Sequence, residues 1–237
     1  MKKFRAGLLI PWVNTAMEDE IPTLVNRNVG LHWSRLRPSR LPLDGHDDSY
    51  LQLLLDDIPN AITKFDGLDL QTLVLGCTSA SVVNDGNDLV YPGKYQHIEK
   101  ITAFDAAANY LKQKSAHDVI LFGPYQEHIL ESEVKALNRL DVKIAKAVKI
   151  NYDQEIRFIS SIDLFKKFQA EYSPNYDAVF FSCTALYTLE VIRFIREMQN
   201  IQIPIISSNT AIALMLNNLY NQKYPSQIEN AEDNLNA

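Results

Sequence analysis

Several features are scarce in this sequence, and each scarcity removes a class of function. No apolar run approaches the roughly 20 residues needed to cross a bilayer. The opening "MKKFRAGLLIPWVN" is basic, but its apolar stretch is about five residues long and meets Pro11, too short for the core of a secretory signal. It therefore reads as the first strand of a cytoplasmic protein. Basic residues are outnumbered, 23 Lys and Arg against 29 Asp and Glu, for a net charge of −6. That balance argues against nucleic acid, whose phosphates need clustered cations. Glycine is sparse, at eight residues, and neither GxGxxG nor a P-loop occurs, so the usual cradles for nucleotide phosphates are missing. The five histidines show no i, i+4 pair, and two cysteines without further Cys or His partners make no structural zinc site; no metal is expected.

What remains is a chain of 237 residues that is 46% apolar and 22% charged, enough for one large core or two smaller ones. Four apolar runs end at similar junctions: "AGLLIPWVNT" at Pro11, "TLVLGCTSAS" at Cys77, "DVILFGPYQEH" at Pro124 and "AVFFSCTALY" at Cys183. The order Pro, Cys, Pro, Cys, with similar spacing in each half, reads as an internal duplication. Segments with apolar residues at three- and four-residue intervals lie between them: "SYLQLLLDDIPNAITKF", "ITAFDAAANYLKQK", "QEHILESEVKALNRL", "SIDLFKKFQAEY" and "LYTLEVIRFIREMQ". Near the end, "IPIISSNTAIALMLNNLYNQ" reads as a strand, a Ser-Ser-Asn turn and a closing helix, and the acidic tail from Tyr224 as frayed. Strands alternating with helices predict an α/β protein with parallel sheets.

Ligands of parallel α/β sheets sit beyond the carboxyl ends of the strands, where all four junctions fall. Two halves facing each other would bring Cys77 and Cys183 to one cleft. Helix N-termini behind each Cys-Thr would lower the thiols from a free value of about 8.5 and offer N–H groups to a carboxylate. The alternative for a single strand-end cysteine is inert packing. Its recurrence at equivalent places, each time followed by Thr, favours function.

These segments resemble the aspartate/glutamate racemase superfamily, within it the branch of maleate cis-trans isomerases and arylmalonate decarboxylases. "GLLIPWVNTAMEDEIP", "LGCTSAS", "FGPYQEHI", "FFSCTALYTLEVI" and "PIISSNTAIALML" are similar to that branch's successive motifs, from about Arg5 to Tyr220. The resemblance implies two pseudo-symmetric flavodoxin-like parallel-sheet lobes with the active site in the cleft between them. Residues 1–102 with 211–237 would form the first lobe, including a returning C-terminal helix, and 103–210 the second. It also implies a cofactor-independent isomerase acting on a small carboxylic or dicarboxylic acid, and a homodimer. Cys77 would add to an alkene carbon, and Cys183 would supply or remove a proton. Asn14 and Tyr125 would hold substrate carboxylates, with Thr78, Ser79 and Thr184 completing the pockets.

Maleate-type isomerisation leads; an amino-acid racemase, an arylmalonate-type decarboxylase and a non-catalytic acid-binding member follow. Decarboxylases of the branch usually keep only the second cysteine, so two thiols favour two-sided chemistry. Asp153, in "NYDQEIRF", stands where isomerases usually carry an Asn, and its charge would repel a dicarboxylate. Tyr95 and His97 suggest an altered pocket, or else core or rim packing. Asn14 has the alternative of a helix N-cap, and Tyr125 that of a rim aromatic. Asn209 reads as an N-cap, "DGHDD" at 44–48 as a solvated turn, and Arg35 and Arg37 as basic surface or an acid-reaching pair.

Overall fold

The computed structural model describes residues 4–37, 48–83, 91–152, 155–199 and 201–225. The chain begins with β1 (Phe4–Pro11), α1 (Ala16–Leu24), β2 (Val29–Leu36), α2 (Asp48–Asp56) and α3 (Ile58–Ala61). It continues through β3 (Thr72–Leu75), α4 (Thr78–Val83), β4 (Glu99–Thr102) and α5 (Ala103–Gln113). The second half holds β5 (Val119–Gly123), α6 (Glu127–Arg139), β6 (Ile144–Lys149), α7 (Ser161–Glu171), β7 (Ala178–Phe181), α8 (Leu189–Gln199), β8 (Ile205–Ser207) and α9 (Ser208–Lys223).

The strands form two four-stranded sheets, ordered β2-β1-β3-β4 and β6-β5-β7-β8, and every pairing is parallel. The two orders are the same once β5 is matched to β1, which is the duplication expected from the four junctions. The inner strands are buried along their whole length: TLVL in β3, VILFG in β5 and AVFF in β7. Continuous apolar runs of this kind belong to parallel sheets covered on both faces. β6, at an edge, is only partly covered: Ala145 and Ala147 are exposed and Lys146 and Lys149 half-buried.

The helices are set by local chemistry. Thr102 caps α5 by accepting the Asp105 N–H at 3.0 Å, and Ser160 caps α7 by accepting from Asp163 at 3.1 Å. The stretch expected as one helix before β3 breaks after α2, where Pro59 enters α3 near its start and a 3-10 turn follows at Ile62–Phe65. No turn separates β8 from α9. Ser207 is the N-cap in a capping box with Thr210, so Asn209 lies inside the helix rather than capping it. The reading of "HWSRLRPSR" as surface also missed a strand, because most of it is β2.

α9 has little amphipathic character and is buried along much of its length, since it packs against α1, α5 and β2 as well as β8. Asn217 on α9 accepts the Asn26 N–H at 2.7 Å and donates to Leu24 O at 3.0 Å, which fixes the turn between α1 and β2. Among the described residues no helix is long and apolar enough to cross a membrane.

Candidate active site

Cys77 follows β3 and Cys183 follows β7, the equivalent strand of the other sheet. Both thiols are free, and both side chains are buried. The residues beside them are tied directly to one another. Thr184 donates to Gly76 O at 2.9 Å, and the Asn14 amide donates to Thr184 Oγ1 at 3.0 Å. Ser208, fully buried at the start of α9, accepts from Thr78 Oγ1 at 2.9 Å and from the Cys183 N–H at 3.1 Å. Two cysteines far apart in sequence thus share one small polar cluster.

The surroundings of Cys77 explain its glycine. A Cβ on Gly76 would stand 2.6 Å from the end of the Met17 side chain and 2.9 Å from Ile10 Cγ2, so a larger residue would have to displace both neighbours behind the thiol. Ser79 lies 3.7 Å from Cys77 Sγ, and Ser81 donates back to Cys77 O at 2.7 Å. Cys183 differs in its backbone: its φ is +113°, a region that non-glycine residues rarely occupy. The Ser208 bond to its N–H and its place between β7 and a tight turn hold it there, and such strain persists only where neighbours enforce it.

Behind Cys183 runs a buried polar chain. Ser182 donates to Glu133 Oε1 at 2.6 Å, and the Tyr125 hydroxyl lies 3.2 Å from Ser182 Oγ. Tyr125 pulls the Cys183 thiol toward its ionised form, against the larger effect of burial. Glu133 Oε2 is buried with no partner. Burial drives the pKa values upward throughout the site. It raises Cys77 and pushes Cys183 up to about 12, with the Ala80 and Ala185 amides pulling the respective thiols down. It also lifts Glu133 to about 7 and holds the Tyr125 phenol well above its ordinary range. The expected lowering of the thiols is therefore reversed: the amides are present, and desolvation outweighs them.

The second helix N-terminus expected to receive a substrate acid is already filled. The five residues after Cys183 are turn and extended chain, and α8 starts only at Leu189. The N–H groups of Thr188 and Leu189 donate to Glu20, a buried residue of α1, whose other oxygen accepts from Thr188 Oγ1 at 3.2 Å and Asn209 Nδ2 at 2.8 Å. Burial raises the Glu20 pKa, while those four donors oppose it. The chain's own carboxylate occupies this site.

The residues singled out in the sequence are placed unequally. Cys77, Cys183, Asn14, Thr78, Thr184, Ser79 and Tyr125 come together. Asn14 Oδ1 also accepts the Met17 N–H at 3.2 Å, so this residue anchors the start of α1 while its amide reaches across to the other half. Tyr95 and His97 do not join the cluster. The Tyr95 hydroxyl donates to Ile62 O at 3.1 Å and to Asp66, and His97 is exposed. The altered pocket suggested by those two residues is therefore corrected to packing under the first sheet and surface. Arg35 pairs with Glu18 and donates to Trp12 O at 2.7 Å, and the Arg37 amide bonds Asp57. Asp153 and residues 44–47 lie outside the described residues.

Sequence reasoning missed Glu20, Tyr50, Glu133, Tyr152, Ser182 and Ser208. Burial raises Tyr50, and both thiols add to that effect, so its hydroxyl stays a donor beside the pair. Burial raises the Tyr152 pKa, and Cys183 adds to it. Two of these residues carried a readable signal. Glu20 sits in the apolar stripe of Met17, Ile21 and Leu24, and Glu133 in that of Ile129, Leu130 and Leu137. A carboxylate in the buried stripe of a helix must find partners inside the protein.

The structure defines a class first: two α/β halves of matching strand order with a cysteine at the end of the same strand in each. Sequence comparison finds no matching family model and no related curated protein. Comparison of folds places the chain with solved structures of the maleate isomerase and arylmalonate decarboxylase branch. A maleate isomerase from Pseudomonas putida S16 solved with maleate has a TM-score of 0.73 and 19% identity, over 92% of this chain and 93% of that one. A Nocardia farcinica maleate cis-trans isomerase, as a cysteine-to-serine mutant with a covalently bound succinylcysteine intermediate, gives 0.71 and 18% over 92% and 93%. Arylmalonate decarboxylase gives 0.62 and 16% over 90% and 92%. The chain has the fold of these enzymes.

Proposed function

We propose that this protein is a cofactor-independent isomerase of a small dicarboxylic acid, with maleate as its leading substrate. The observation that carries the reading is the pair of buried thiols at equivalent strand ends, with Thr184 and Gly76, and Thr78 and Ser208, bonded across the gap between the halves. The fold neighbours that act on maleate, one trapped as a succinylcysteine, support it.

In this reading Cys77, as thiolate, adds to one alkene carbon. The π electron pair moves to the adjacent carbon, which takes the proton of the Cys183 thiol. The former double bond is now a single bond and rotates. Cys183, left as thiolate, removes the same proton; the C=C re-forms as the trans isomer, and the Cys77 thiolate leaves. Atoms and charge balance, with one negative charge alternating between the two sulfurs. The burial that pushes Cys183 to about 12 suits a group that must start protonated. Substrate carboxylates would be held by neutral donors: Ser79, the free N–H of the Asn14 amide, the Tyr50 and Tyr125 hydroxyls, and the first amides of α4. The charges that perturb Cys183 come from Cys77 and Glu133, not from Lys, Arg or His.

Proton NMR of the reduced protein with maleate in D₂O tests the reading. A growing fumarate signal is expected. Exchange of the α-proton of aspartate or glutamate, with maleate untouched, would replace it with a racemase.

A further inference from the structure

We propose that Glu133 sets the direction of the Tyr125 hydroxyl through Ser182: turned inward to Ser182 when the carboxylate is ionised, and free to donate to a bound acid when it is neutral. That the acid is a substrate rests on the isomerase reading above; the link between Glu133 and Tyr125 does not.

The number of hydroxyl protons carries the inference. Ser182 Oγ lies 2.6 Å from Glu133 Oε1 and 3.2 Å from the Tyr125 hydroxyl, and all three residues are buried. Ser182 has one proton for these two neighbours. An ionised Glu133 has none, so Ser182 must donate to it. The contact with Tyr125 then holds only if the phenol donates to Ser182, and its single proton is turned inward. A neutral Glu133 brings a proton of its own. It donates to Ser182, Ser182 donates to the Tyr125 oxygen, and the phenol proton is released for a ligand. The phenol itself stays protonated, because burial, the thiols and Glu133 all hold its pKa well above the ordinary range. Tyr125 follows β5 and Cys183 follows β7, its neighbour in the sheet, so the switched hydroxyl lies at the thiol-bearing end of the second half.

Glu133 is placed as a group that changes charge. Its Oε2 is buried with no donor to hold a permanent charge, and burial lifts its pKa to about 7 while the Ser182 hydroxyl pulls it down. Its surroundings leave that equilibrium to Ser182. β5 and β7 carry no titratable side chain, nor does α4, which packs against α6. On α6 itself Glu127, His128, Glu131, Lys135 and Arg139 are exposed. Lys146 and Lys149 of the adjacent β6 are half-buried; the first pairs with Glu171, and the second reaches Gln126 at 3.5 Å. Cys77 and Cys183, the other groups that act on Tyr125, are both raised by burial, Cys183 to about 12, well above the Glu133 value. Glu133 is thus a positioning residue: it acts through Ser182 and Tyr125 and does not itself touch substrate.

The test has two arms, both on the full reduced chain. The first uses no ligand. Infrared difference spectra are taken on either side of pH about 7, and the Tyr125→Phe spectra are subtracted to isolate the Tyr125 C–O stretch, which differs between a phenol that donates and one that accepts. That band should switch with the same midpoint at which the Glu133 carboxylic-acid C=O band is lost. Glu133→Gln, which cannot titrate, should abolish both changes. Ser182→Ala should leave the Tyr125 band fixed, and it answers the question if the Gln variant does not fold. The second arm is calorimetric titration with succinate, a dicarboxylate with no double bond to react. Its Kd should rise by about tenfold or more as pH passes upward through about 7, with a proton taken up on binding. Ser182→Ala should hold the Kd flat at its low-pH value and Tyr125→Phe flat at its high-pH value. A merely structural role for Glu133 would weaken binding at every pH in Glu133→Gln and keep the wild-type slope. A Tyr125 band that does not move with pH, or one that still moves in Glu133→Gln or Ser182→Ala, overturns the proposal, as does a wild-type Kd for succinate that is flat across the window. Failure of succinate to bind, or of fumarate to form, counts against the isomerase reading alone, because the infrared arm needs neither.

Discussion

The two halves share strand order and the position of their cysteine, yet the two cysteine sites are built differently. In the first, Gly76 precedes the thiol where Met17 and Ile10 crowd the place of a side chain, and α4 begins immediately behind it. In the second, Ser182 precedes the thiol and reaches back to a buried carboxylate, the backbone is strained at φ +113°, and the following helix N-terminus is closed by Glu20. A duplicated frame thus holds one cysteine at the start of a helix and one next to a serine that bonds a buried acid. In the proposed isomerisation that asymmetry suits an addition step at the first thiol and a proton-transfer step at the second.

The largest expected effect is on turnover. Cys77→Ser and Cys183→Ser should each lower fumarate formation by on the order of a thousandfold or more, with circular dichroism unchanged. If one variant kept most of the activity, the two halves would not divide the chemistry. Next is stability across the seam. Glu20→Ala leaves two buried amides, a threonine hydroxyl and the Asn209 amide without their acceptor, and should cost on the order of 4 kcal/mol in urea unfolding.

A pH effect of the second half follows from Glu133. Its folded value, about 7, lies above its ordinary value of 4.5, so the native state binds the extra proton between those limits. Its contribution to stability is present below about 4.5 and is lost as pH rises through about 7, on the order of 3 kcal/mol across the window. Glu133→Gln should lack that fall, so the difference between wild-type and variant unfolding free energies should itself fall by that amount between about pH 4.5 and 7. The smallest effect contrasts the two backbones. At Cys183, where φ is positive, Cys183→Gly should be more stable than Cys183→Ala by about 1 kcal/mol. At Cys77, outside the positive-φ positions, the order should reverse, as differential scanning calorimetry of the four variants would register.

The sequence disclosed the fold through its buried strands, since TLVL, VILFG and AVFF are continuous apolar runs ending in small or special residues. It hid β2, β4 and β6, whose mixed polarity comes from edge or half-covered positions. Of the site, both cysteines and their threonines were legible because they repeat. Ser182 and Ser208 were not, because their roles depend on pairings between distant segments, and Glu133 showed only as a carboxylate in an apolar helical stripe. Tyr95 and His97 misled in the opposite way: polar-tipped residues in an unusual stretch drew attention, while the Tyr95 hydroxyl only ties a local turn. The acidity of the thiols was also misjudged, because motif and spacing report the amides behind a cysteine but not how far the side chain is removed from water.

The most direct measurement is intact-mass spectrometry of the Cys183→Ser protein after incubation with maleate. A thiol that adds, with the adjacent carbon taking its proton from water and no second thiol to take it back, should leave one maleic-acid mass on the protein, mapped to Cys77 by peptide fragmentation and absent from Cys77→Ser. An unmodified Cys183→Ser protein whose Cys77 still reacts with iodoacetamide would contradict the assignment of addition to the first half.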